Sequence, residues 1–255
     1  MKLNYNPFTL EGKKFLVTGA ASGMGRATSL VLSKLGANLL LVDINLSGLQ
    51  ETLSQCRTTD IMLYLDLSKS SLIKEELMKA VAHSGKLNGF VHFAGKPYVS
   101  PLKSISEEKC AELYSLNTYA AIELAKVFTN RNVYAGNKGS IVLISSVYGL
   151  VGSAANVGYA MSKSALHGIT KALSIELASK GIRVNCVAPG FVKTNLLPNQ
   201  SELFGTDHDE LINKLHPLGL GEPDDVAFSV AYLLSDAAKW VTGTILNIDG
   251  GFTAQ

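Results

Sequence analysis

The sequence predicts an α/β protein in which helices cover both faces of a seven-stranded, doubly wound parallel sheet. Short apolar runs of strand length alternate with helical stretches, and 47% of the 255 residues are hydrophobic, enough for a large buried core. No repeat or low-complexity linker divides the chain, so residues 1–255 are interpreted as one domain. The strands are expected at 14–18, 38–43, 61–66, 89–93, 140–145, 183–188 and 243–248.

The first strand leads into a glycine-rich turn. The sequence GAASGMG follows residues 14–18, and Arg26 to Leu35 then reads as a helix that ends at Gly36. Glycines allow a chain to approach a pyrophosphate closely, and a helix N-terminus offers free N–H groups and partial positive charge. We therefore expect a Rossmann fold that binds a dinucleotide. Its phosphate contacts are assigned to Gly19, Ser22, Gly23, Met24 and Gly25.

The second predicted strand ends in an acidic residue. Asp43 lies beyond the glycine turn, where a carboxylate can accept hydrogen bonds from the 2′- and 3′-hydroxyls of the adenosine ribose. The same carboxylate would repel the 2′-phosphate of NADP, and neither Lys nor Arg follows it at the strand end. The residues therefore predict NAD as the cofactor, with NADP less favoured.

A tyrosine, a lysine and a serine form the candidate catalytic group. Tyr159 and Lys163 are four residues apart in a predicted helix, so their side chains should share one face. A nearby ammonium is expected to lower the pKa of the phenol. Ser146 follows the strand at 140–145, and its hydroxyl can hydrogen-bond an oxygen that gains or loses a proton. The pair alone is common on protein surfaces, but combined with a dinucleotide turn it indicates an oxidoreductase.

Together, these motifs resemble the short-chain dehydrogenase/reductase family over nearly the whole chain, with a leaning toward its 3-oxoacyl-acyl-carrier-protein reductases. Asn117 is similar to the family's asparagine that kinks a helix and holds a water near the lysine. Asp249-Gly250-Gly251 is similar to the C-terminal turn of the family. The resemblance implies further cofactor contacts by Asp66 and Leu67 at the adenine, by Ala94, Gly95, Tyr159 and Lys163, and by Pro189, Gly190, Val192 and Thr194 near the nicotinamide.

One motif departs from the family pattern. Where Asn-Asn-Ala-Gly usually follows the fourth strand, this chain has His92-Phe93-Ala94-Gly95. The small residues that let a cofactor lie against the strand end are kept, whereas the asparagine that braces the sheet is replaced. Because this place in the pattern is structural, His92 is interpreted as a packed, hydrogen-bonded substitute rather than a catalytic acid.

The resemblance implies hydride transfer between a nicotinamide and a ketone or secondary alcohol, coupled to proton transfer. In reduction, Tyr159 would donate the proton and Ser146 would stabilise the developing oxyanion. Lys163 would hold the ribose and keep Tyr159 acidic, and Asn117 would hold a water that relays protons to solvent. Oxidation is the same path reversed, and the residues do not choose the direction.

The substrate is left open at this stage. A lid is expected at about residues 195–217, with an apolar inner surface. A 3-oxoacyl thioester and a sugar, polyol or hydroxysteroid substrate are all compatible with the resemblance. An acyl carrier protein is a conceivable partner. However, Lys138 and Lys180, near positions where such reductases carry basic residues, are interpreted as ordinary surface lysines.

Other classes explain only part of the pattern. A non-catalytic dinucleotide-binding sensor would keep the glycine turn and Asp43 but would not need Asn117, Ser146, Tyr159 and Lys163 together. A methyltransferase would not need the Tyr-Lys pair, and a nucleotide-sugar epimerase should be longer. The combination therefore favours an enzyme of the oxidoreductase class.

Composition limits the surroundings of the protein. A net charge of +2 is too small to indicate nucleic-acid binding, and no run approaches the ~18 apolar residues that span a bilayer. Without a signal-peptide core, a soluble, cytoplasmic enzyme is expected. The three cysteines are widely spaced, at Cys56, Cys110 and Cys186, which favours reduced, mostly buried thiols over disulfides or a metal site.

The resemblance also implies a homotetramer. Relatives with this pattern associate through a long pair of helices, here expected at 107–130 and 159–179, and through their C-terminal strands. The helix faces expected to suit such packing are Ala121, Leu124, Ala125 and Phe128 on the first helix, and Leu166, Ile169 and Leu173 on the second.

Overall fold

The computed structural model describes residues 6–57, 59–194, 212 and 214–255. Seven parallel strands form one sheet in the order β3-β2-β1-β4-β5-β6-β7. This order confirms the predicted doubly wound sheet, because the chain moves outward from β1 in one direction and from β4 in the other. The strands are β1 Lys14–Thr18, β2 Asn38–Asp43, β3 Ile61–Tyr64, β4 Gly89–His92, β5 Gly139–Ile144, β6 Ile182–Pro189 and β7 Ile245–Ile248.

Helices cover both faces of the sheet. Alternate residues of β2 point to opposite sides, so Leu40 belongs to one apolar cluster and Leu41 to the other. The first cluster includes residues of the helices at 70–84, 120–128 and 157–176, and the second includes residues of the helices at 23–34, 46–54 and 223–234. The α-helices of the described residues are α1 Gly23–Lys34, α2 Leu46–Ser54, α3 Ser70–Ser84, α4 Glu107–Tyr114, α5 Ala120–Phe128, α6 Val157–Glu176 and α7 Pro223–Leu234.

Two strand boundaries differ from the prediction by two residues, and the others by at most one. β3 ends at Tyr64 instead of residue 66 because Asp66 turns the chain, its Oδ1 accepting a hydrogen bond from the Ser68 N–H (3.0 Å). β7 begins at Ile245 instead of residue 243, since the Thr244 N–H donates to the Asn185 side chain (3.3 Å). Side-chain hydrogen bonds of this kind compete with strand pairing.

The long helix predicted over residues 107–130 is interrupted. Ser115–Tyr119 form a π turn between α4 and α5, with Asn117 at its centre. This turn confirms the kink that the family resemblance implied, and such π turns are frequent at functional sites. It lies near the sheet edge where β1 and β4 diverge, which is the usual position of a ligand crevice in a doubly wound fold.

Candidate active site

The candidate catalytic side chains meet at the carboxyl edge of the sheet. Ser146 follows β5, and Tyr159 and Lys163 lie one turn apart on α6. The Ser146 side chain is hydrogen-bonded to the Tyr159 phenol, and the Lys163 Nζ lies 5.9 Å from the centre of the Tyr159 ring. Lys163 is buried, and its Nζ donates to the carbonyl of Ile144 (2.8 Å). The structure therefore brings the three side chains together.

The pKa of the phenol shifts opposite to the expectation. The sequence predicts that Lys163 lowers it, whereas burial raises the pKa of Tyr159, opposed in part by the hydrogen bond with Ser146. Burial also lowers the pKa of Lys163 to about 8. Removal from water disfavours the charged form of both groups and is the largest cause of both shifts. Tyr159 is thus held as a neutral phenol, the form that can donate a proton, while Lys163 is still mostly cationic at neutral pH.

Asn117 ties the strand end to the catalytic helix. Its amide is fully buried, with Oδ1 accepting from the Lys96 N–H (2.9 Å) and Nδ2 donating to the Lys96 carbonyl (3.1 Å). Nδ2 also donates to the hydroxyl of Ser162 on α6 (3.0 Å). These bonds fix the loop after β4 against α6, next to Lys163.

The glycine turn lies at the base of a cleft of about 960 Å³. A Cβ added at Gly25 would lie 2.0 Å from the Gly19 carbonyl oxygen, so this close approach of helix and strand requires glycine. Helix α1 begins at Gly23, and its N-terminus provides N–H groups for an anion. The predicted cofactor residues that line the cleft are Gly19, Ser22, Met24, Gly25, Asp43, Asp66, Leu67, Ala94 and Gly95.

The opposite wall of the cleft includes residues that the sequence reasoning missed. Many of them lie on one face of α4 and the following π turn, and their helical spacing would have shown this once the helix was placed. The additional lining residues are Ile44, Leu65, Ser68, Phe93, Lys96, Glu108, Ala111, Glu112, Ser115 and Leu116.

The acidic residue at the end of β2 is held in a fixed orientation. The Asp43 carboxylate accepts hydrogen bonds from the N–H groups of Ala21 (3.0 Å) and Asn45 (2.9 Å). The cation nearest in sequence to the glycine turn, Arg26, is engaged elsewhere, because its guanidinium pairs with Glu51 (2.8 Å) and donates to the hydroxyl of Thr52 (3.1 Å). This corner of the cleft therefore presents a carboxylate whose neighbouring arginine is already neutralised.

The predicted nicotinamide-end residues do not line this cleft. Pro189 ends β6, and the next residue, Gly190, packs tightly against Asp249 and His216. A Cβ at Gly190 would lie 2.9 Å from both the Asp249 Cα and the His216 Nε2. Val192 pairs with Gly221 in an isolated bridge. Thr194 is the last described residue before the gap. Most of the predicted lid at 195–217 lies outside the described residues.

His92 is a buried brace, as predicted. It is 1% exposed, and its Nδ1 lies 3.0 Å from the hydroxyl of Thr18 on β1. Because the Leu116 carbonyl can only accept, Nε2 carries the proton and donates to it (3.3 Å), so Nδ1 accepts from the Thr18 hydroxyl, whose oxygen in turn accepts from the Ala94 N–H (3.1 Å). The imidazole thus connects β1, β4 and the π turn.

Replacing His92 with Asn is expected to alter the pH dependence of stability. Burial lowers the pKa of His92 to about 3, far below the ordinary value of about 6.5. The folded state therefore excludes a proton that the unfolded state binds, so stability is fully present above pH ~6.5 and is lost as the pH falls. Between pH 7 and pH 5 the wild type should lose about 2 kcal/mol more than His92→Asn in urea unfolding. A pH-independent difference between the two proteins would contradict this account.

An aromatic cluster beside Ser146 was not predicted from the sequence. Tyr148, Phe191, His216 and Phe252 come from four separate segments, and their rings lie within 6.4 Å of a neighbour in the cluster. No local pattern links residues so far apart in sequence. The predicted C-terminal motif supports the cluster, because the Asp249 carboxylate accepts from the N–H groups of Gly251 (3.1 Å) and Thr253 (2.9 Å) and closes the turn before the last residues.

Comparisons with known proteins agree with this fold. A family model described as enoyl-(acyl carrier protein) reductase matches residues 19–253. A tropinone reductase homolog of Arabidopsis thaliana is 35% identical over 97% of this chain and 95% of its own. A 3-oxoacyl-[acyl-carrier-protein] reductase of Thermotoga maritima is 34% identical over 95% of this chain and 98% of its own. A 2,5-dichloro-2,5-cyclohexadiene-1,4-diol dehydrogenase of Sphingobium indicum is 33% identical over 96% of this chain and 98% of its own.

Solved structures show the same architecture. A 4-hydroxyisoleucine dehydrogenase complexed with NADH superposes with a TM-score of 0.87 at 28% identity, covering 96% of this chain and 100% of the other. A structure from Agrobacterium tumefaciens with bound NADP, assigned as a 2-deoxy-D-gluconate 3-dehydrogenase, has a TM-score of 0.84 at 29% identity. The superposition covers 98% of this chain and 100% of the other. Fold and site together define a dinucleotide-dependent oxidoreductase acting on CH–OH groups. The chain belongs to the short-chain dehydrogenase/reductase family.

The described residues were also compared with the requirements of a membrane span, a metal site and a disulfide. None of their helices has the length and apolar character that a bilayer crossing requires. They contain no group of three or more metal-ligating side chains. The three cysteines are free thiols; Cys186 is buried, whereas Cys56 and Cys110 are only partly buried.

Proposed function

We propose that this protein catalyses reversible hydride transfer between NAD(H) and a ketone or secondary alcohol. The observation that carries the proposal is the group of Ser146, Tyr159 and the buried Lys163 beside the dinucleotide cleft. A Cβ on the cleft residue Gly95 would lie only 3.4 Å from the Lys163 Nζ, so group and cleft adjoin. When bound, the nicotinamide supplies or accepts the hydride.

Each catalytic side chain has one task in this mechanism. In reduction, the neutral Tyr159 phenol donates its proton to the substrate oxygen, and the Ser146 hydroxyl donates a hydrogen bond to the same atom. Lys163 keeps N–H donors beyond the one bonded to Ile144, and these would hold the nicotinamide ribose. Asn117 would hold a water that relays protons to solvent. In oxidation the alcohol proton passes to the Tyr159 oxygen while the phenol's own proton leaves through that water relay.

The residues also fit the rest of a dinucleotide. The turn from Gly19 to Gly25, including Ser22, Gly23 and Met24, would hold the pyrophosphate. Asp66 and Leu67 would contact the adenine, and Ala94 and Gly95 would contact the ribose side. Near the nicotinamide, contacts are proposed for Pro189, Gly190, Val192 and Thr194, which follow the carboxyl end of β6.

NAD(H) is proposed as the preferred cofactor. Solved relatives contain NADH in one case and NADP in another, so similarity alone does not decide the choice. The preference is supported by the orientation of Asp43, which would face a 2′-phosphate, and by the pairing of Arg26 with Glu51. Like charges at contact distance cost a few kcal/mol, or on the order of 10²-fold in affinity.

The substrate class is supported less directly. A 3-oxoacyl thioester delivered by an acyl carrier protein is one candidate, after the relative named for that activity. The positions of Lys138 and Lys180 do not add support for this candidate. Lys138 precedes β5 and Lys180 precedes β6, so both lie at the amino edge of the sheet, opposite Ser146, and Lys138 pairs with Asp236 (3.1 Å). Alcohols of the sugar, polyol, steroid or alicyclic type are the alternatives.

A binding titration tests the proposed class. NADH, NADPH and S-adenosylmethionine are titrated separately, followed by assays of ketones with NADH and of secondary alcohols with NAD⁺. We expect NADH to bind most tightly and at least one carbonyl or alcohol to be turned over. Tight binding of S-adenosylmethionine would point to a methyltransferase, and NADH binding without turnover of any compound would favour a non-catalytic sensor.

We also propose a homotetramer that works in the cytoplasm. The helix faces predicted for assembly serve the subunit's own core instead: Ala121, Leu124, Ala125, Phe128 and Leu166 are buried, and Ile169 and Leu173 pack against the same cluster. Other apolar side chains on the same helices are exposed, among them Ile175 at 80%. Trp240 is 96% exposed near β7. The free cysteines suit a reducing compartment.

Trp240 provides a direct test of assembly, because it is the chain's single tryptophan. Light scattering at micromolar concentration should give about four times the 27.2 kDa chain mass, with blue-shifted tryptophan emission. Phe228→Asp, which places a charge on the exposed face of α7, should lower the mass and shift the emission to the red. Leu72→Asp, at an exposed apolar side chain of α3 on the other face of the sheet, is the control. A stable 27 kDa wild-type monomer would contradict the proposal.

A further inference from the structure

The unpredicted aromatic cluster lies next to the chemistry. The Tyr148 N–H donates to the Ser146 hydroxyl oxygen (3.2 Å), which places the first ring directly after the catalytic serine. Phe191 packs edge-on against that ring, with centroids 5.7 Å apart, and follows Gly190 at the end of β6. Phe252, near the chain terminus, lies 6.4 Å from Tyr148 and 4.9 Å from His216. The rings therefore form a wall that begins at Ser146.

Three of the rings keep surface for a ligand. Tyr148, Phe191 and Phe252 are each only partly buried, whereas His216 is 2% exposed and lies behind them. Aromatic faces of this kind bind apolar bodies, and rings most favourably.

The polar groups of the wall are already satisfied within the protein. The His216 Nε2 accepts from the Phe191 N–H (3.2 Å), and its Nδ1–H donates to the Ile212 carbonyl (2.7 Å). The Asp249 carboxylate accepts from Gly251 and Thr253, and the Ser153 side chain lies within hydrogen-bonding reach of the Tyr148 hydroxyl. A polyol placed here would leave hydroxyls without partners, which a site rejects strongly.

We propose that the wall of Tyr148, Phe191 and Phe252 selects compact, apolar, ring-shaped secondary alcohols and their ketones. The inference rests on the proposed function, which it extends to a substrate class. A ring with one reacting oxygen would direct that oxygen to Ser146 and Tyr159 and its hydrocarbon body to the wall. In oxidation the carbinol carbon loses a hydride to NAD⁺ and the hydroxyl loses a proton to the Tyr159 oxygen, whose own proton leaves through the water relay, so the products are ketone, NADH and one proton released to solvent. A rigid ring also loses less conformational freedom on binding than an open chain.

Three six-carbon alcohols and one thioester test this assignment. Values of kcat/KM with NAD⁺ are compared for cyclohexanol, 2-hexanol, sorbitol and the N-acetylcysteamine thioester of 3-hydroxybutyrate. We expect cyclohexanol to exceed 2-hexanol several-fold and the other two by about 10²-fold or more. Phe252→Ala should lower kcat/KM for cyclohexanol about tenfold, mainly through KM, and reduce its advantage over sorbitol. Phe8→Ala, which removes an exposed ring packed on Tyr232, is the matched control.

The outcomes separate this inference from the proposed function. Preference for sorbitol or for the thioester, or an unchanged selectivity in Phe252→Ala, would overturn the inference while hydride transfer stands. Ligand-observed NMR on the enzyme with NADH gives a readout without turnover. Binding of cyclohexanol that is lost in Phe252→Ala but is never followed by oxidation would support the wall and contradict the proposed function. No detectable binding or turnover of cyclohexanol would overturn the wall.

Discussion

Turnover is expected to fall by about 10²–10⁴-fold when Tyr159 is replaced by Phe, the range typical of a lost general acid or base. The substitution removes one oxygen and keeps the ring beside Lys163, so fold and cofactor affinity should change little. The pKa of Tyr159, raised by burial, keeps the wild-type phenol protonated and able to donate. The measurement is kcat on any active ketone, together with the dissociation constant of NADH.

A matched control separates chemistry from packing. Tyr134 is also a buried, hydrogen-bonded tyrosine, but it lies toward the amino edge of the sheet, where its hydroxyl donates to the Lys180 carbonyl (3.2 Å). Tyr134→Phe should therefore cost some stability and leave kcat nearly unchanged. If Tyr159→Phe retained more than a tenth of wild-type turnover, Tyr159 would not be the proton donor.

Cofactor preference is expected to collapse when Asp43 is replaced by Ala. Wild type should favour NAD(H) over NADP(H) by on the order of 10²-fold or more in kcat/KM, because the carboxylate accepts from the ribose hydroxyls and repels a 2′-phosphate. The variant loses both effects, so NAD(H) should become worse and NADP(H) better. Asp224→Ala, an exposed aspartate on α7, is the control for loss of one negative charge.

The opposite result would change the proposed substrate as well. If wild type used NADPH better, Asp43 would have to turn away from the ribose despite its hydrogen bonds to Ala21 and Asn45. That result would favour the hypothesis of a 3-oxoacyl reductase over the hypothesis of a sugar, polyol or alicyclic alcohol dehydrogenase.

The sheet was predictable because strands buried on both faces are apolar runs of limited length, whatever their neighbours. The ends of the strands were harder to predict. The end of β3, for example, depends on the turn at Asp66, whose side chain accepts a hydrogen bond from the Ser68 N–H. The convergence of Tyr159 and Lys163 follows from helix geometry alone. The pKa values of these two side chains cannot be predicted in the same way, because burial is a property of the whole fold. Burial raises the pKa of Tyr159, whereas the sequence predicted that it would be lowered.

The substrate wall marks the limit of sequence reasoning. Tyr148, Phe191 and Phe252 meet because β5, β6 and the C-terminal turn end at the same edge, and nothing in their local sequences requires this contact. His92 shows the reverse case. Its place in a known pattern predicted a buried brace, but only the structure showed that the brace reaches the π turn at Leu116.

Hydride transfer itself is tested most directly with NADH deuterated at the transferring C4 position. A single turnover with a ketone such as cyclohexanone is followed by mass spectrometry of the product, in wild type and in Tyr159→Phe. The account predicts one deuterium on the carbinol carbon with the wild type, and at least a hundredfold slower transfer with the variant. Saturated NADH binding with no deuterium in any ketone tried, or equal transfer by both proteins, would contradict it.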